Sequence, residues 1–164
     1  MSIRPLEERD VEACAEIMMG LPLWRRYGAT QKDAQALFAG AARGTPSGRV
    51  AEREGRVAGF VVYSLRSTFD HSGYVRAVGV RAGEQGHGVG TLLMDAAEEE
   101  ILARGPNVFL LVSKENAAAR RFYERRGYRE IGEIADYVAP GLAEVLYRKT
   151  TGPIRRNGAN VDTG

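Results

Sequence analysis

A glycine-rich turn lies near the middle of the chain, between an expected strand at Tyr74–Val80 and an expected helix that begins near Gly88. The helix carries apolar residues at the i, i+3 and i+4 spacing of a core-facing stripe. Gly86, Gly88 and Gly90 leave backbone N–H groups uncovered by a Cβ, and these groups lie at a helix N-terminus, where the dipole favours negative charge. The pattern therefore predicts a cradle for a phosphorylated ligand.

The glycine spacing excludes two common phosphate-binding loops. The pattern is G-x-G-x-G, whereas the dinucleotide fingerprint is G-x-G-x-x-G, and no Lys-Ser or Lys-Thr follows it as in a P-loop. Gln85-x-x-Gly88-x-Gly90 instead resembles the Q/R-x-x-G-x-G/A signature of the GNAT superfamily of N-acetyltransferases. In that superfamily the turn holds the pyrophosphate of acetyl-CoA. For this motif alone, a glycine-rich turn without a ligand is the alternative.

A second segment resembles another hallmark of the same superfamily, N-x-x-A-x-x-F-Y-x-x-x-G-F/Y. The matching residues are Asn116, Ala119, Phe122, Tyr123, Gly127 and Tyr128. Asn116 is expected to cap a helix over residues 117–126. Without the family, Tyr123 is interpreted as an aromatic residue at the edge of a core.

The two motifs stand in the order that the superfamily has, and the resemblance implies the GNAT fold. That fold is of the α+β (mixed α/β) class. A central, twisted, mixed sheet of about seven strands is flanked by about four helices, and strands 4 and 5 are parallel and splayed.

The resemblance also implies a role for individual residues. Backbone N–H groups of the turn would bind the pyrophosphate, and the preceding strand would hydrogen-bond the pantetheine arm. Tyr123 would protonate the thiolate of coenzyme A as general acid, and Asn116 would contact the cofactor near the thioester or cap its own helix. The expected cofactor contacts are Val78, Gly79, Val80, Gln85, Gly86, His87, Gly88, Val89, Gly90, Thr91, Asn116 and Tyr123.

The general base is not evident from the sequence. Many family members carry a glutamate on the central strand or on the following parallel one, but here those segments offer Arg76, Val78, Leu110 and Leu111. The remaining candidates are a water chain or the side chains of His71, Glu133, Asp136 and Tyr137. A missing carboxylate favours an α-amine, whose pKa is near 8, over a lysine, whose pKa is about 10.4.

Aromatic residues mark two candidate walls for the acceptor. Trp24 and Tyr27 lie in an expected loop between helices, where they either line a substrate mouth or anchor the loop in the core. Tyr137 lies in the segment Asp136–Glu144, which loosely resembles the acceptor-side hairpin of GNAT members that modify protein N-termini or small amines.

Length and composition predict a single domain over residues 1–149 and a mobile tail over 150–164. A net charge of +2 gives no reason to expect nucleic acid. No secretory signal and no long apolar run are visible, so we expect no membrane segment and a cytoplasmic protein. Cys14 is the one cysteine, which excludes an internal disulfide and predicts a small buried residue. No metal is expected.

Other elements follow from periodicity and turn residues. We expect helices over 8–19 and 30–43, a hairpin over 49–54 and 56–67, a buried strand at 108–112 and final strands at 128–138 and 142–149.

Two functions remain open. The first is an acyltransferase that moves an acetyl group from acetyl-CoA to a primary amine of a small molecule or a peptide N-terminus. It would act by direct attack in a ternary complex, as a monomer or homodimer. The second is a non-catalytic acyl-CoA-binding or regulatory module on the same fold. An unrelated nucleotide-binding domain is disfavoured by the glycine spacing.

Overall fold

The computed structural model describes residues 1–155, and within them the chain forms seven strands and five α-helices. A single 3₁₀ turn at Glu8–Asp10 precedes the first helix. The elements, in chain order, are β1 (Ser2–Pro5), α1 (Val11–Gly20), α2 (Pro22–Arg26), α3 (Gln31–Ala42), β2 (Ser47–Arg53), β3 (Arg56–Thr68), β4 (Ser72–Val80), α4 (Val89–Leu102), β5 (Asn107–Ser113), α5 (Ala117–Arg125), β6 (Arg129–Ile134) and β7 (Glu144–Thr150).

The strands form one sheet in the order β1-β2-β3-β4-β5-β7-β6. The pairs β1–β2, β2–β3, β5–β7 and β7–β6 are antiparallel, whereas β4 and β5 are parallel. A mixed sheet with helices confirms the predicted α+β class. The predicted splay of β4 and β5 stays a prediction.

By its contacts the chain divides into two units. The first contains residues 1–64 and 75–100, and the second contains 65–74 together with the chain from Ile101 onward. The prediction of a single domain over 1–149 is not tested by this division and stays a prediction.

The core of the first unit forms where α1 and α3 pack against β2 and β3. Phe38 of α3 meets Phe60 of β3 edge to face, with 4.6 Å between the ring centroids. Cys14 is buried in this core, as predicted, and burial raises the pKa of its thiol to about 12. Arg4 of β1 donates to both carboxylate oxygens of Asp10 and to Glu52 of β2, which ties the start of α1 to the sheet.

Buried side chains of the second unit lie on β5 and β7. Val108, Leu110 and Val112 alternate along β5, and the register sets Leu110 opposite Tyr147 and Val112 opposite Val145. All five side chains are buried, because residues at every second position of a strand point to the same face. The continuous apolar run of β5 is thus the buried strand that the sequence predicts.

Local capping signals predict the helix starts well. Thr30 accepts from the Asp33 N–H, and Asp33 accepts from the Thr30 N–H, so the predicted capping box begins α3. Asn116 accepts from the Ala119 N–H at 3.1 Å and caps α5. Gly127 follows α5 with a φ of 91°, as expected of a helix C-terminus.

Two predicted boundaries are wrong. The expected loop after α1 contains the short helix α2, which begins at Pro22, a residue whose fixed φ suits the first helical position. The strand expected to reach Val138 ends at Ile134, because Asp136 has a φ of 52° and its carboxylate accepts from the Gly141 N–H. The turn after β6 therefore starts four residues earlier than predicted.

The predicted mobile tail falls mostly outside the described residues. Thr150 ends β7, and the Thr151 N–H donates to the Pro106 carbonyl at 2.9 Å. Residues 156–164 of the predicted tail lie outside the part of the chain that the structure describes.

Candidate active site

The glycine-rich turn follows β4 in the first unit, and contacts hold it at its start, its middle and its end. At its start, the Arg81 N–H donates to the Ala58 carbonyl at 2.8 Å and the Arg81 Nε donates to the Val57 carbonyl at 2.9 Å. In its middle, Glu84 pairs with Arg53 at 3.2 Å. At its end, the Leu92 N–H donates to the Gly88 carbonyl, so α4 begins directly after Gly88 as predicted.

The turn presents its backbone to open space. Gly83, Gly86 and Gly88 have φ values of 88°, 79° and 77°, a region that side chains rarely adopt. A Cβ built on any of these three glycines would meet no protein atom within 4 Å. The first N–H groups of α4 have no partner within the helix, and the helix dipole is positive there. The residues present therefore fit an anionic group.

Two other glycines set the position of this helix start. A Cβ on Gly59 of β3 would lie 2.7 Å from the Gly79 carbonyl oxygen and 3.0 Å from the Val89 Cγ1. A Cβ on Gly79 would lie 2.6 Å from the Phe60 ring. The absence of side chains lets β3, β4 and the first turn of α4 approach closely.

The predicted cofactor residues of the first unit thus form a contiguous group. Val78 and Val80 at the end of β4 are half-buried, while Val89 is buried under the turn. The remaining residues are exposed or half-buried on the turn and the first turn of α4, namely Gln85, Gly86, His87, Gly88, Gly90 and Thr91. The structure brings together all ten predicted contacts of this unit.

The two other predicted cofactor residues lie at the ends of one face of α5 in the second unit. Asn116 is the N-cap, and Tyr123 is half-buried near the C-terminus. The Tyr123 ring lies edge to face with the rings of Phe122 and Tyr128, at centroid distances of 5.2 and 5.6 Å. Tyr128 is itself buried, so the phenol of Tyr123 stands on a fixed aromatic support.

A polar network anchors α5 to β7. The buried hydroxyl of Tyr147 accepts from the Arg120 Nε at 3.0 Å and donates to Glu124 at 2.9 Å. Arg120 also pairs with Glu130 of β6 at 3.2 Å. Burial raises the pKa of the Tyr147 phenol, with Glu124 acting in the same direction and Arg120 opposing it. Sequence analysis missed this network, since no local motif relates positions 120 and 147.

The predicted acceptor walls lie in different units. Trp24 and Tyr27 meet edge to face at 6.1 Å, and half-buried Trp24 packs against the core of the first unit, which favours its interpretation as an anchor. Tyr137 lies on the turn after β6 and is 61% exposed. The structure therefore brings Trp24 and Tyr27 together and leaves both acceptor assignments as predictions.

Three of the side chains predicted as candidate general bases have neighbours that the structure identifies. His71 lies beside Gly105, just before β5 begins at Asn107. The other end of β5, at Ser113, is six residues or about 20 Å from Asn107. Glu133 is exposed and pairs with Lys114 at 3.0 Å. Asp136 closes its own turn on the Gly141 N–H at 2.7 Å. Glu133 and Asp136 thus each have a structural partner, and the role of all three as a base stays a prediction.

Residues 1–155 are the part of the chain that the structure describes. Within that range no group of three or more His, Cys, Asp or Glu side chains is arranged to hold a metal ion. Among the helices of the same range, none has the length and apolar character needed to span a membrane.

Comparison with known proteins identifies the family. The family model described as acetyltransferase (GNAT) family matches residues 12–128, more than half of the chain. This chain belongs to the GNAT acetyltransferase family. Both motifs of the sequence analysis lie within the matched residues or at their C-terminal edge, which confirms the resemblance.

Individual relatives agree with this membership. Mycothiol acetyltransferase of Beutenbergia cavernae is 40% identical over 70 residues, covering 42% of this chain and 24% of that protein. The uncharacterized N-acetyltransferase MJ1530 of Methanocaldococcus jannaschii is 32% identical over 102 residues, covering 61% of this chain and 64% of that one. The aligned part of this GNAT chain thus spans less than two thirds of either relative.

Solved structures show the same fold. The structure of yncA from Salmonella typhimurium with its cofactor acetyl-CoA superposes with a TM-score of 0.76 and 19% identity, covering 99% of this chain and 98% of that chain. At this identity the likeness establishes the architecture of the GNAT chain and not its substrate.

Proposed function

We propose that this GNAT chain transfers an acetyl group from acetyl-CoA to a primary amine of a small molecule or a peptide N-terminus. The transfer is a direct attack of the amine on the thioester in a ternary complex. The observation that carries the proposal is the open glycine turn at the start of α4, in a chain of the GNAT acetyltransferase family.

The turn supplies the binding energy for the anionic end of acetyl-CoA. Backbone N–H groups from Gly86 to Thr91 donate to the pyrophosphate, and the positive end of the α4 dipole adds to the attraction. Val78, Gly79 and Val80 at the end of β4 provide backbone groups for the pantetheine arm, in the manner of strand addition. No metal enters this proposal.

Tyr123 acts as general acid on the leaving sulfur. Phenols have an ordinary pKa of about 10 and thiols one of about 8.5, so proton transfer from a phenol to a thiolate is uphill by roughly 2 kcal/mol. The phenol must therefore donate as the carbon–sulfur bond breaks, which demands a fixed position beside the sulfur. The support by Phe122 and Tyr128 is consistent with such a position.

Binding of acetyl-CoA is tested by calorimetry with a matched pair of glycine variants. Gly88→Ala and Gly55→Ala each place a Cβ at a φ near 75°, with no protein atom nearby, so both should lower stability by about 1–2 kcal/mol. We expect only Gly88→Ala to weaken acetyl-CoA binding, by about tenfold or more. Equal affinities in the two variants, or no binding by the wild type, would contradict the proposal.

Catalysis is tested by following free thiol release with a panel of acceptors. The panel contains small primary amines, lysine side-chain analogues and peptides with free N-termini. We expect Tyr123→Phe to bind acetyl-CoA normally and to lower turnover by ~10²–10³-fold. Tyr63→Phe, which removes a hydroxyl that donates to Glu100 near the C-terminal end of α4, serves as the control.

The same assay distinguishes the second candidate function. β4 and β5 carry no carboxylate, which keeps a non-catalytic acyl-CoA-binding module as the alternative, whereas the presence of Tyr123 and Asn116 favours the enzyme. That module would bind acetyl-CoA through the turn and would release no thiol with any member of the panel.

A further inference from the structure

We infer that Glu144 is the general base of the proposed acetyl transfer. The inference rests on the proposed function and supplies the proton acceptor that β4 and β5 do not contain. Among the carboxylates of the second unit that the structure describes, Glu144 alone is buried, with 3% exposure. The others are exposed, namely Asp70, Glu115, Glu124, Glu130, Glu133 and Asp136.

The register of the sheet puts this carboxylate at the C-terminal end of β5. Glu144 begins β7 and lies directly opposite Ser113, the last residue of β5, which is also buried. Directly opposed residues of an antiparallel pair share a face, with Cβ atoms about 4.5–5.5 Å apart. In open sheets with parallel strands, ligands bind outside the carboxyl ends of those strands.

Leu111 lies on the same face of the sheet as Ser113 and Glu144. Leu111 and Ser113 lie two residues apart on β5, so their side chains point the same way. Leu111 is paired with Leu146, which makes Glu144 its diagonal neighbour on the adjacent strand, about 7–8 Å away. Glu144 of β7 thus places a carboxylate on a face of the sheet where β5 has none.

The backbone around Glu144 is fixed on both sides. β7 pairs with both β5 and β6, and Glu144 faces Ser113 on one side and Ile134 on the other. The Lys114 N–H donates to the Ala143 carbonyl and the Asn116 N–H donates to the Ser113 carbonyl, each at 2.9 Å. In the described residues no buried side-chain nitrogen or oxygen lacks a partner, so the carboxylate is also held in place.

The base and the acid approach from opposite faces of the sheet. Tyr147, three residues beyond Glu144, points to the face that α5 covers, since its hydroxyl bonds to Arg120 and Glu124. Glu144 therefore points away from α5, the helix that carries Tyr123. The Glu144 carboxylate and the helix that carries Tyr123 therefore lie on opposite faces of β7.

The acceptor nitrogen bonds to the thioester carbonyl carbon and the carbon–sulfur bond breaks, while one N–H proton moves to a Glu144 oxygen and the Tyr123 proton moves to sulfur. Afterwards Glu144 releases one proton to water and Tyr123 takes one from water, so both side chains return to their starting forms. The products are the amide and free coenzyme A.

The decisive experiment compares Glu144→Gln with Glu133→Gln, the nearby exposed carboxylate that pairs with Lys114. The probes are acetyl-CoA with an alanine-initiated peptide amide and with small primary amines. We expect Glu144→Gln to lower kcat by about 10²-fold or more at neutral pH, with the Kd for acetyl-CoA within about twofold of wild type. Glu133→Gln should stay within about threefold of wild type. A Glu144→Gln enzyme with near wild-type kcat would overturn the inference.

A second variant, with a carboxylate at another position on the same face, distinguishes a catalytic role of Glu144 from a structural one. Leu111→Glu in the Glu144→Gln background returns a carboxylate to the same face, and we expect it to recover at least about tenfold in kcat. Recovery of thermal stability without recovery of kcat would assign Glu144 a structural role instead.

One measurement needs no variant and decides the matter if Glu144→Gln does not fold. With a protein base, the acid limb of the wild-type kcat–pH profile has the same apparent pKa for acceptors of different amine pKa. A limb that follows the pKa of each amine would remove Glu144 from this role. If the wild type neither binds acetyl-CoA nor releases thiol with any probe, the proposed function itself fails, which is a different result.

Discussion

Two buried tyrosines, one in each unit, tie a helix to the sheet through an arginine and a glutamate. In the first unit, Tyr63 of β3 and Arg49 of β2 both donate to Glu100 near the C-terminus of α4, and the Arg49–Glu100 distance is 3.0 Å. In the second unit, Tyr147 of β7 bonds to Arg120 and Glu124, both on α5. The chemistry is the same, but the helix contributes one charge in the first cluster and both in the second.

The position of each cluster along its helix also differs. Glu100 lies more than two turns beyond the glycine-rich turn, so the first cluster holds α4 by the end away from the proposed phosphate site. Arg120 and Glu124 flank Tyr123 on α5. A turn that is proposed to bind through its backbone needs only a firmly held helix behind it. A helix that offers a reacting side chain must be fixed beside that side chain.

The largest effect is expected from Tyr63→Phe. Its hydroxyl donates, with Arg49, to a half-buried carboxylate, and a hydrogen bond to a charged group contributes about 2 kcal/mol. We expect the free energy of unfolding in urea at neutral pH to fall by about this amount, with acetyl-CoA affinity unchanged. An equal loss in Tyr137→Phe, whose hydroxyl is exposed, would contradict this explanation.

The first cluster should also weaken in alkali. Burial, with the neighbouring Glu100, raises the pKa of Tyr63 from 10.0 to about 12. The folded chain therefore keeps this proton after the unfolded chain has lost it. The stabilisation is complete below pH 10 and disappears as pH rises through about 12. Unfolding free energies across this window should fall more steeply for the wild type than for Tyr63→Phe, and parallel curves would refute the assignment.

A turnover effect is expected from Tyr147→Phe. Without its hydroxyl, α5 loses the contact that joins Arg120 and Glu124 to β7, and the orientation of Tyr123 becomes less defined. Since small misplacements of a catalytic group cost rate, we expect kcat to fall about tenfold while the Kd for acetyl-CoA stays within about twofold. Tyr63→Phe is the matched control and should leave kcat unchanged. Similar kcat values in the two variants would contradict the role of the Tyr147 hydroxyl in positioning Tyr123.

The smallest effect is expected at the N-cap of α5. Asn116→Ala removes the bond to the Ala119 N–H and should cost about 1 kcal/mol of stability, whereas Asn116→Asp should restore it. If Asn116 also contacts the cofactor, as the GNAT resemblance implies, Asn116→Asp will recover stability without full turnover. Full turnover in the Asp variant would limit Asn116 to capping.

Features that depend on neighbours in sequence were predicted correctly. The glycine-rich turn, the capping box of Thr30 and the cap at Asn116 each act within a few residues, so their types and spacing contain the needed information. The order of elements and the α+β class followed from periodicity and from the two GNAT motifs. The end of β6 was placed late because the carboxylate of Asp136 closes the turn, which no apolar pattern records.

What the sequence by itself determined is therefore the family, the glycine-rich turn before α4 and the identity of the helix that carries Tyr123. Only the tertiary structure decided that Trp24 packs on the core, that Tyr147 anchors α5 and that a buried carboxylate at position 144 faces Ser113. The physical reason is the range of the interactions. Turns and caps form between residues a few positions apart, whereas strand register pairs residues about thirty positions apart and sets which side chains share a face.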